Sequence, residues 1–141
     1  MHRYVVRVRY GDTDQMGFAY YANYLRWFEI GRAEMLRALG TTYRAVEEGG
    51  VWLPVLEARC RYFEPARYDD EVAIETGVAV LRRASVRFGY RLTRVADGAR
   101  LAEGFTEHCF MAPGGRPRRP GATVTALLER APRAALPDDG A

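Results

Sequence analysis

The feature that most constrains the fold is one long segment of helical period set among segments of period two. Over residues 21–39, Tyr21, Tyr24, Leu25, Phe28, Ala33, Met35, Leu36 and Leu39 fall broadly at helical spacing, interrupted by Arg26, Glu29, Arg32 and Arg37. Gly40 supplies a C-terminal stop. Apolar residues occupy more than one face, which predicts a largely buried helix. Ahead of it, Val6, Val8 and Tyr10 alternate with Arg7 and Arg9, so residues 4–10 read as a strand with one solvated face. Behind it, strands are predicted over 51–63, 71–80, 85–95 and 100–111. Asp97-Gly98 marks a hairpin turn, and Arg82-Arg83 sits at another connection. One apolar helix and one antiparallel sheet imply an α+β, two-layer packing with the sheet wrapped around the helix. Long strands in so small a sheet leave exposed edges, which dimerisation through edge pairing would cover.

The 141 residues suit one domain over 1–141, with about 132–141 expected as a frayed tail. Residues 42–48 can add a short helical turn, 113–121 read as a Pro/Gly/Arg-rich loop, and 123–130 as a short terminal helix. No apolar run approaches the ~20 residues of a membrane span. The N-terminus enters an alternating segment directly, with no signal peptide visible, so a cytoplasmic location is expected. Cys60 and Cys109 fall in predicted strands and lack metal-like spacing, which favours reduced, structural thiols. His2 and His108 are too far apart in sequence to suggest a metal site, and none is expected. All 21 basic residues are arginine, and the net charge is +3. Guanidinium forks suit an anionic ligand. The basic residues are not clustered with exposed aromatics as in nucleic-acid binders, so no nucleic-acid partner is expected.

The segment that carries chemistry runs from Tyr10 to Leu25. A strand ends, Asp12 and Asp14 follow two apart, Gly17 permits a tight turn or close backbone approach, and the helix begins. A helix start offers unsatisfied N–H groups and the positive end of a dipole. An acyl carbonyl placed there is polarised, and its developing negative charge is stabilised. A carboxylate just upstream can attack the carbonyl or activate a water. Taken alone, a loop aspartate usually caps nearby amides, and that remains the reading for Asp12.

The run YGDTDQMGFAYYANYLRWFE (10–29) resembles the signature of the 4-hydroxybenzoyl-CoA thioesterase family and its relatives from the Tol–Pal gene cluster. RYFEPARYDDEVAIET (61–76) and RRAS (82–85) extend the resemblance over most of the chain, to about Met111. It implies the hotdog fold, an antiparallel sheet around one long central helix, and hydrolysis of acyl-CoA to a carboxylic acid and CoA. It implies no cofactor, since CoA is part of the substrate. It also implies a homo-oligomer, a tetramer built from dimers, with the pocket at an interface. The second aspartate of the D-x-D element maps to Asp14 as nucleophile or general base. The helix-start backbone N–H maps to Tyr21, where many relatives carry His. Phosphate and pantetheine contacts map to Arg82, Arg83 and Ser85, and Gly17 lies where the thioester packs.

For the remaining residues the plainer readings are preferred. Tyr24 and Phe28 are expected in the core, and Tyr21 along the acyl pocket. Glu29 is expected to pair with Arg32 or Arg26. His108 is expected to be structural, a general base only if Asp14 fails, and Arg59, Arg61 and Arg67 are weaker phosphate candidates. The alternative to an enzyme is a non-catalytic acyl-CoA or acyl-carrier binding module, for which Asp14 would be unnecessary. A hotdog dehydratase ranks lower still, because the motif contains no histidine.

Overall fold

The computed structural model describes residues 1–135. In chain order it contains β1 (His2–Arg7), α1 (Asn23–Ala38), α2 (Tyr43–Glu48), β2 (Val55–Tyr62), β3 (Glu71–Leu81), β4 (Ser85–Arg94), β5 (Arg100–Cys109) and α3 (Gly121–Glu129). The five strands form one antiparallel sheet in the order β1-β3-β4-β5-β2, with α1 packed on its inner face. This is the α+β arrangement expected from one helix and one sheet.

The registers explain the two faces. Ile74 pairs with Leu92 and Leu92 with Ala102; Thr76 pairs with Tyr90 and Tyr90 with Gly104. These rows face α1, because period two puts every second residue on one side. From α1 come Tyr24, Trp27, Phe28, Gly31, Met35 and Leu36, all buried. Their spacing defines one stripe, while Leu25, Arg26 and Glu29 are exposed. The helix is therefore buried along one face rather than all round as its aromatic content suggested. Phe28 stacks on Tyr90 with ring centroids 4.3 Å apart. At Gly31 the helix backbone comes so close to β3 that a Cβ would collide with the side chains of Thr76 and Ile74.

Four sequence expectations are corrected. First, β1 stops at Arg7, and Tyr10 opens a 3₁₀ turn (Tyr10–Asp12) with its side chain 79% exposed. The cause is local: the Asp12 carboxylate accepts the Arg9 N–H at 2.9 Å, drawing the chain out of the strand. Second, β2 begins at Val55, after an isolated pairing of Trp52 with Met111. Third, Glu29 forms no ion pair among the described residues; Arg26 goes to Asp12, and Arg32 to the hydroxyls of Tyr43 and Tyr90. Fourth, the chain does not fray at Pro132. The Val78 N–H donates to Pro132 O at 2.8 Å and the Ala134 N–H to Val78 O at 3.1 Å, strapping 132–135 across β3. The rest of the expected tail, 136–141, lies outside the described residues.

Both cysteines are free and partly buried, and burial pushes the Cys60 thiol up to about 11. Among the described residues no helix is long and apolar enough to cross a membrane. Among the described residues no group of three or more His, Cys, Asp or Glu is placed to hold a metal ion.

Candidate active site

The loop between β1 and α1 is built on two aspartates with different jobs. Asp12 is buried. Its Oδ2 accepts the Arg9 N–H, and its Oδ1 accepts Arg26 Nη2 at 2.6 Å. Burial raises the Asp12 carboxyl, but the Arg9 N–H and then the Arg26 guanidinium outweigh it and hold it below the usual aspartate value. Its main-chain oxygen accepts the Tyr20 N–H and Asn23 Nδ2, both at 2.8 Å, so the residue ties the loop to the start of α1.

Asp14 sits two residues beyond this anchor, half-buried. Its N–H donates to Phe18 O at 2.8 Å, and its carbonyl accepts the Gly17 N–H at 3.0 Å. Gly17 closes the turn at φ 79°, a left-handed conformation that glycine adopts without strain. Inside the turn, Asp14 Oδ1 accepts the N–H groups of Met16 at 2.9 Å and Phe18 at 3.3 Å. Its other oxygen takes no hydrogen bond among the described residues. The carboxylate is thus oriented through one oxygen and available through the other.

The second half of the site is the start of α1. The Ala22 position that caps the helix makes no side-chain cap. The N–H groups of Tyr21 and Ala22 meet no acceptor among the described residues. Tyr21 is held from its carbonyl side, where Tyr62 Oη donates at 2.9 Å. Ala19 N–H donates to Ala66 O at 2.7 Å and Tyr24 Oη accepts the Ala66 N–H at 3.0 Å, pinning the loop to the segment before β3.

Asp14, Met16, Tyr21, Tyr24, Tyr62 and Phe63 line a cleft of about 250 Å³. Asp14 and Tyr21 therefore share one mostly apolar cavity, with Gly17 in its rim turn. Tyr62 and Phe63 were not singled out in the sequence. The signal for Tyr62 is the period-two pattern of β2, which puts it on the helix side with Cys60; Phe63 follows directly after the strand. Arg67 is also drawn to this loop, its guanidinium 4.8 Å from the Phe18 ring, whereas Arg61 lies over Phe63.

Arg82, Arg83 and Ser85 are not part of this cleft. Asp14 lies near the Glu71 end of β3, through the Phe18–Arg67 pairing, whereas the arginines lie beyond Leu81. That is about 33 Å along an 11-residue strand. His108 is also elsewhere. It is fully buried, with Nδ1 2.9 Å from Leu53 O and Nε2 2.8 Å from Thr106 Oγ1. Burial lowers it to about 4. Both ring nitrogens are occupied, so it is a structural histidine.

Similarity to known proteins agrees with this fold. YneP of Bacillus subtilis is 36% identical over 87 residues, which are 62% of this chain and 63% of that protein. The chain thus spans a little under two thirds of that relative. The Escherichia coli acyl-CoA thioester hydrolase YbgC is 36% identical over 97 residues, 69% of this chain and 72% of that protein. The crystal structure of an Aquifex aeolicus protein superposes with a TM-score of 0.86 at 29% identity, covering 91% of this chain and 99% of that one. Residues 8–139 match the model of the thioesterase-like superfamily, and the chain belongs to that family.

Proposed function

We propose that this protein hydrolyses acyl-CoA thioesters, with the Asp14 carboxylate and the free N–H at Tyr21 acting on opposite sides of one thioester carbonyl. The observation that carries the reading is their shared cleft: a carboxylate with one unengaged oxygen beside a helix start with unengaged amides. The amide dipole of Tyr21 stabilises the negative charge that develops on the carbonyl oxygen. Asp14 takes a proton from water as the water oxygen attacks the carbonyl carbon. The C–S bond then breaks, the acid forms, and the thiolate leaves and is protonated. In the other route Asp14 Oδ2 attacks directly, the thiolate leaves, and water hydrolyses the resulting anhydride. Neither route uses a metal or cofactor, and CoA enters only as part of the substrate.

The working unit we propose is a homodimer, or a tetramer built from two of them. β2 is an outer strand with Val55, Leu56 and Tyr62 exposed. Two copies of β2 paired antiparallel about a two-fold axis set the Val55 end of one beside the Tyr62 end of the other. The partner's Arg82 then lies about 15 Å from this cleft, across three strand spacings. Arg82, Arg83 and Ser85 serve the CoA of the neighbouring subunit in this arrangement, as their own cleft is out of reach.

A thiol-release assay across aromatic and aliphatic acyl-CoAs tests the reading. Wild-type protein should hydrolyse members of the panel, and Asp14→Asn should fold yet lose ~10²–10⁴ in kcat. Near wild-type turnover by Asp14→Asn removes the mechanism. Acyl-CoA binding without turnover by the wild type favours the non-catalytic binding module. Label found in Asp14 after turnover in H₂¹⁸O establishes the anhydride route, since it enters only when water attacks the Asp14 carbonyl of the anhydride.

A further inference from the structure

The cleft that Asp14 shares with Tyr21 has a second charged residue in its wall. Glu64, two residues past the end of β2, lines it beside Phe63 and Pro65. Of the lining residues, Asp14 and Glu64 alone carry charge, and both are acids. The others are aromatic or apolar. Arginines stand close by without lining the cleft. Arg67 lies 4.8 Å from the Phe18 ring, and Arg61 and Arg100 lie 5.9 and 3.6 Å from the Phe63 ring. Arg100 is also drawn to Glu103, at 3.6 Å.

The charge of Glu64 is not cancelled by its surroundings. Its Oε2 lies 3.6 Å from Arg94 Nη1, beyond good hydrogen-bond range, and its side chain is 57% exposed. Arg94 has nearer partners. Nη1 meets Asp97 at 2.9 Å, Nε meets Asp70 at 3.2 Å, and Nη2 donates to Pro65 O at 3.0 Å. One guanidinium thus serves three carboxylates, and Glu64 is the most distant of them. The backbone that carries Glu64 is tied down on both sides. The Phe63 N–H donates to Leu101 O at 2.8 Å, and the Ala66 N–H donates to Tyr24 Oη at 3.0 Å. The carboxylate therefore acts from a fixed base on whatever enters the cleft.

Resting on the acyl-CoA reading above, we propose that Glu64 sets the substrate class of this cleft: acyl groups without a negative charge enter, and acyl groups that end in a carboxylate are turned away. An incoming carboxylate loses water in a mostly apolar cavity and finds no cation in the wall to replace it. It also meets like charge. A unit charge about 6 Å away in a half-exposed site changes an equilibrium roughly three- to tenfold. Repulsion of this kind builds specificity by rejecting the wrong ligand rather than by holding the right one more tightly. Asp14 faces the reacting carbonyl, whereas Glu64 acts on the rest of the acyl group and on no bond that breaks.

The test compares valeryl-CoA with glutaryl-CoA, two esters of equal carbon number that differ by a terminal carboxylate. Wild type should show a kcat/KM at least about tenfold higher for valeryl-CoA. Glu64→Gln should move the ratio of the two roughly three- to tenfold towards glutaryl-CoA, and Glu64→Lys should move it further. Added salt should narrow the wild-type ratio more than that of Glu64→Gln, since charge repulsion is screened and shape is not. Equal turnover of the two esters by wild type, or a ratio that neither variant shifts, overturns the proposal and leaves the thioesterase reading standing. Calorimetry on Asp14→Asn protein, with and without Glu64→Gln, repeats the comparison without turnover. If neither ester is hydrolysed but valeryl-CoA binds more tightly and Glu64→Gln narrows the gap, the charge filter stands and the thioesterase reading falls. If neither is hydrolysed and binding ignores Glu64, both fall.

Discussion

Arg26, one turn into α1, meets the buried carboxylate of Asp12 at 2.6 Å and so joins the helix to the loop that carries Asp14. Arg26→Met leaves Asp12 with Arg9 alone, through its N–H and its guanidinium 3.7 Å away. Because Arg26 is itself partly exposed, the expected loss is only about 1–2 kcal/mol at neutral pH. The Asp12 carboxyl is held below its ordinary value of 3.8, so the pair stabilises the fold above that pH. The gap between wild type and variant should therefore close as pH falls below about 3.8. Urea unfolding of both proteins across pH checks this; a gap that widens on acidification contradicts it.

Gly17 has open space around its Cβ position but a φ of 79°. Substitution there is costly through backbone conformation alone. Gly17→Asn should cost less than Gly17→Val, with Gly17→Ala near 1 kcal/mol. Thiol release should follow the same order, since the Gly17 N–H closes the turn around Asp14. Equal effects of Asn and Val would show that the turn does not control the carboxylate.

His108 provides a second pH signature. Burial holds it near 4 in the folded chain, against 6.5 for an exposed histidine. Between those values the unfolded chain binds the proton and the folded chain does not, so stability falls as pH drops from 6.5 towards 4. The full difference is about 3 kcal/mol. Replacing His108 with Gln should flatten this part of the stability profile. A variant with the wild-type slope would place its origin elsewhere.

The proposed sharing of arginines between subunits can be tested by a mixing experiment. Asp14→Asn and Arg82→Ala/Arg83→Ala proteins, each impaired alone at low acyl-CoA, should regain activity when unfolded and refolded together. Random pairing leaves roughly a quarter of all sites with both parts intact. Thiol release no higher than the mean of the two parents would mean that each subunit serves itself.

The order of elements and the aspartate loop were legible because both rest on local pattern: a change of period, a glycine at a turn, a polar break before a helix. Tyr24 and Phe28 fell in the core as their spacing requires. The rest depends on contacts distant in sequence. Tyr10 continues the alternation of β1, yet leaves the sheet because Asp12 captures the Arg9 N–H. Glu29 has arginines at helical spacing, but Arg26 finds Asp12 and Arg32 finds Tyr43 and Tyr90. Tyr62 and Glu64 reach the cleft only through strand register and loop closure, which no local spacing encodes.

The strap formed by residues 132–135 passes over the outer side of β3, where a Cβ on Gly77 would run into the Arg133 backbone. That side of the sheet is already roofed by the chain's own end. Any surface brought against this side would meet residues 132–135 over β3, not bare strand. A polypeptide cut short before Pro132 would lay this side of β3 bare, so residues 132–135 decide what surface that part of the sheet offers to anything that packs on it.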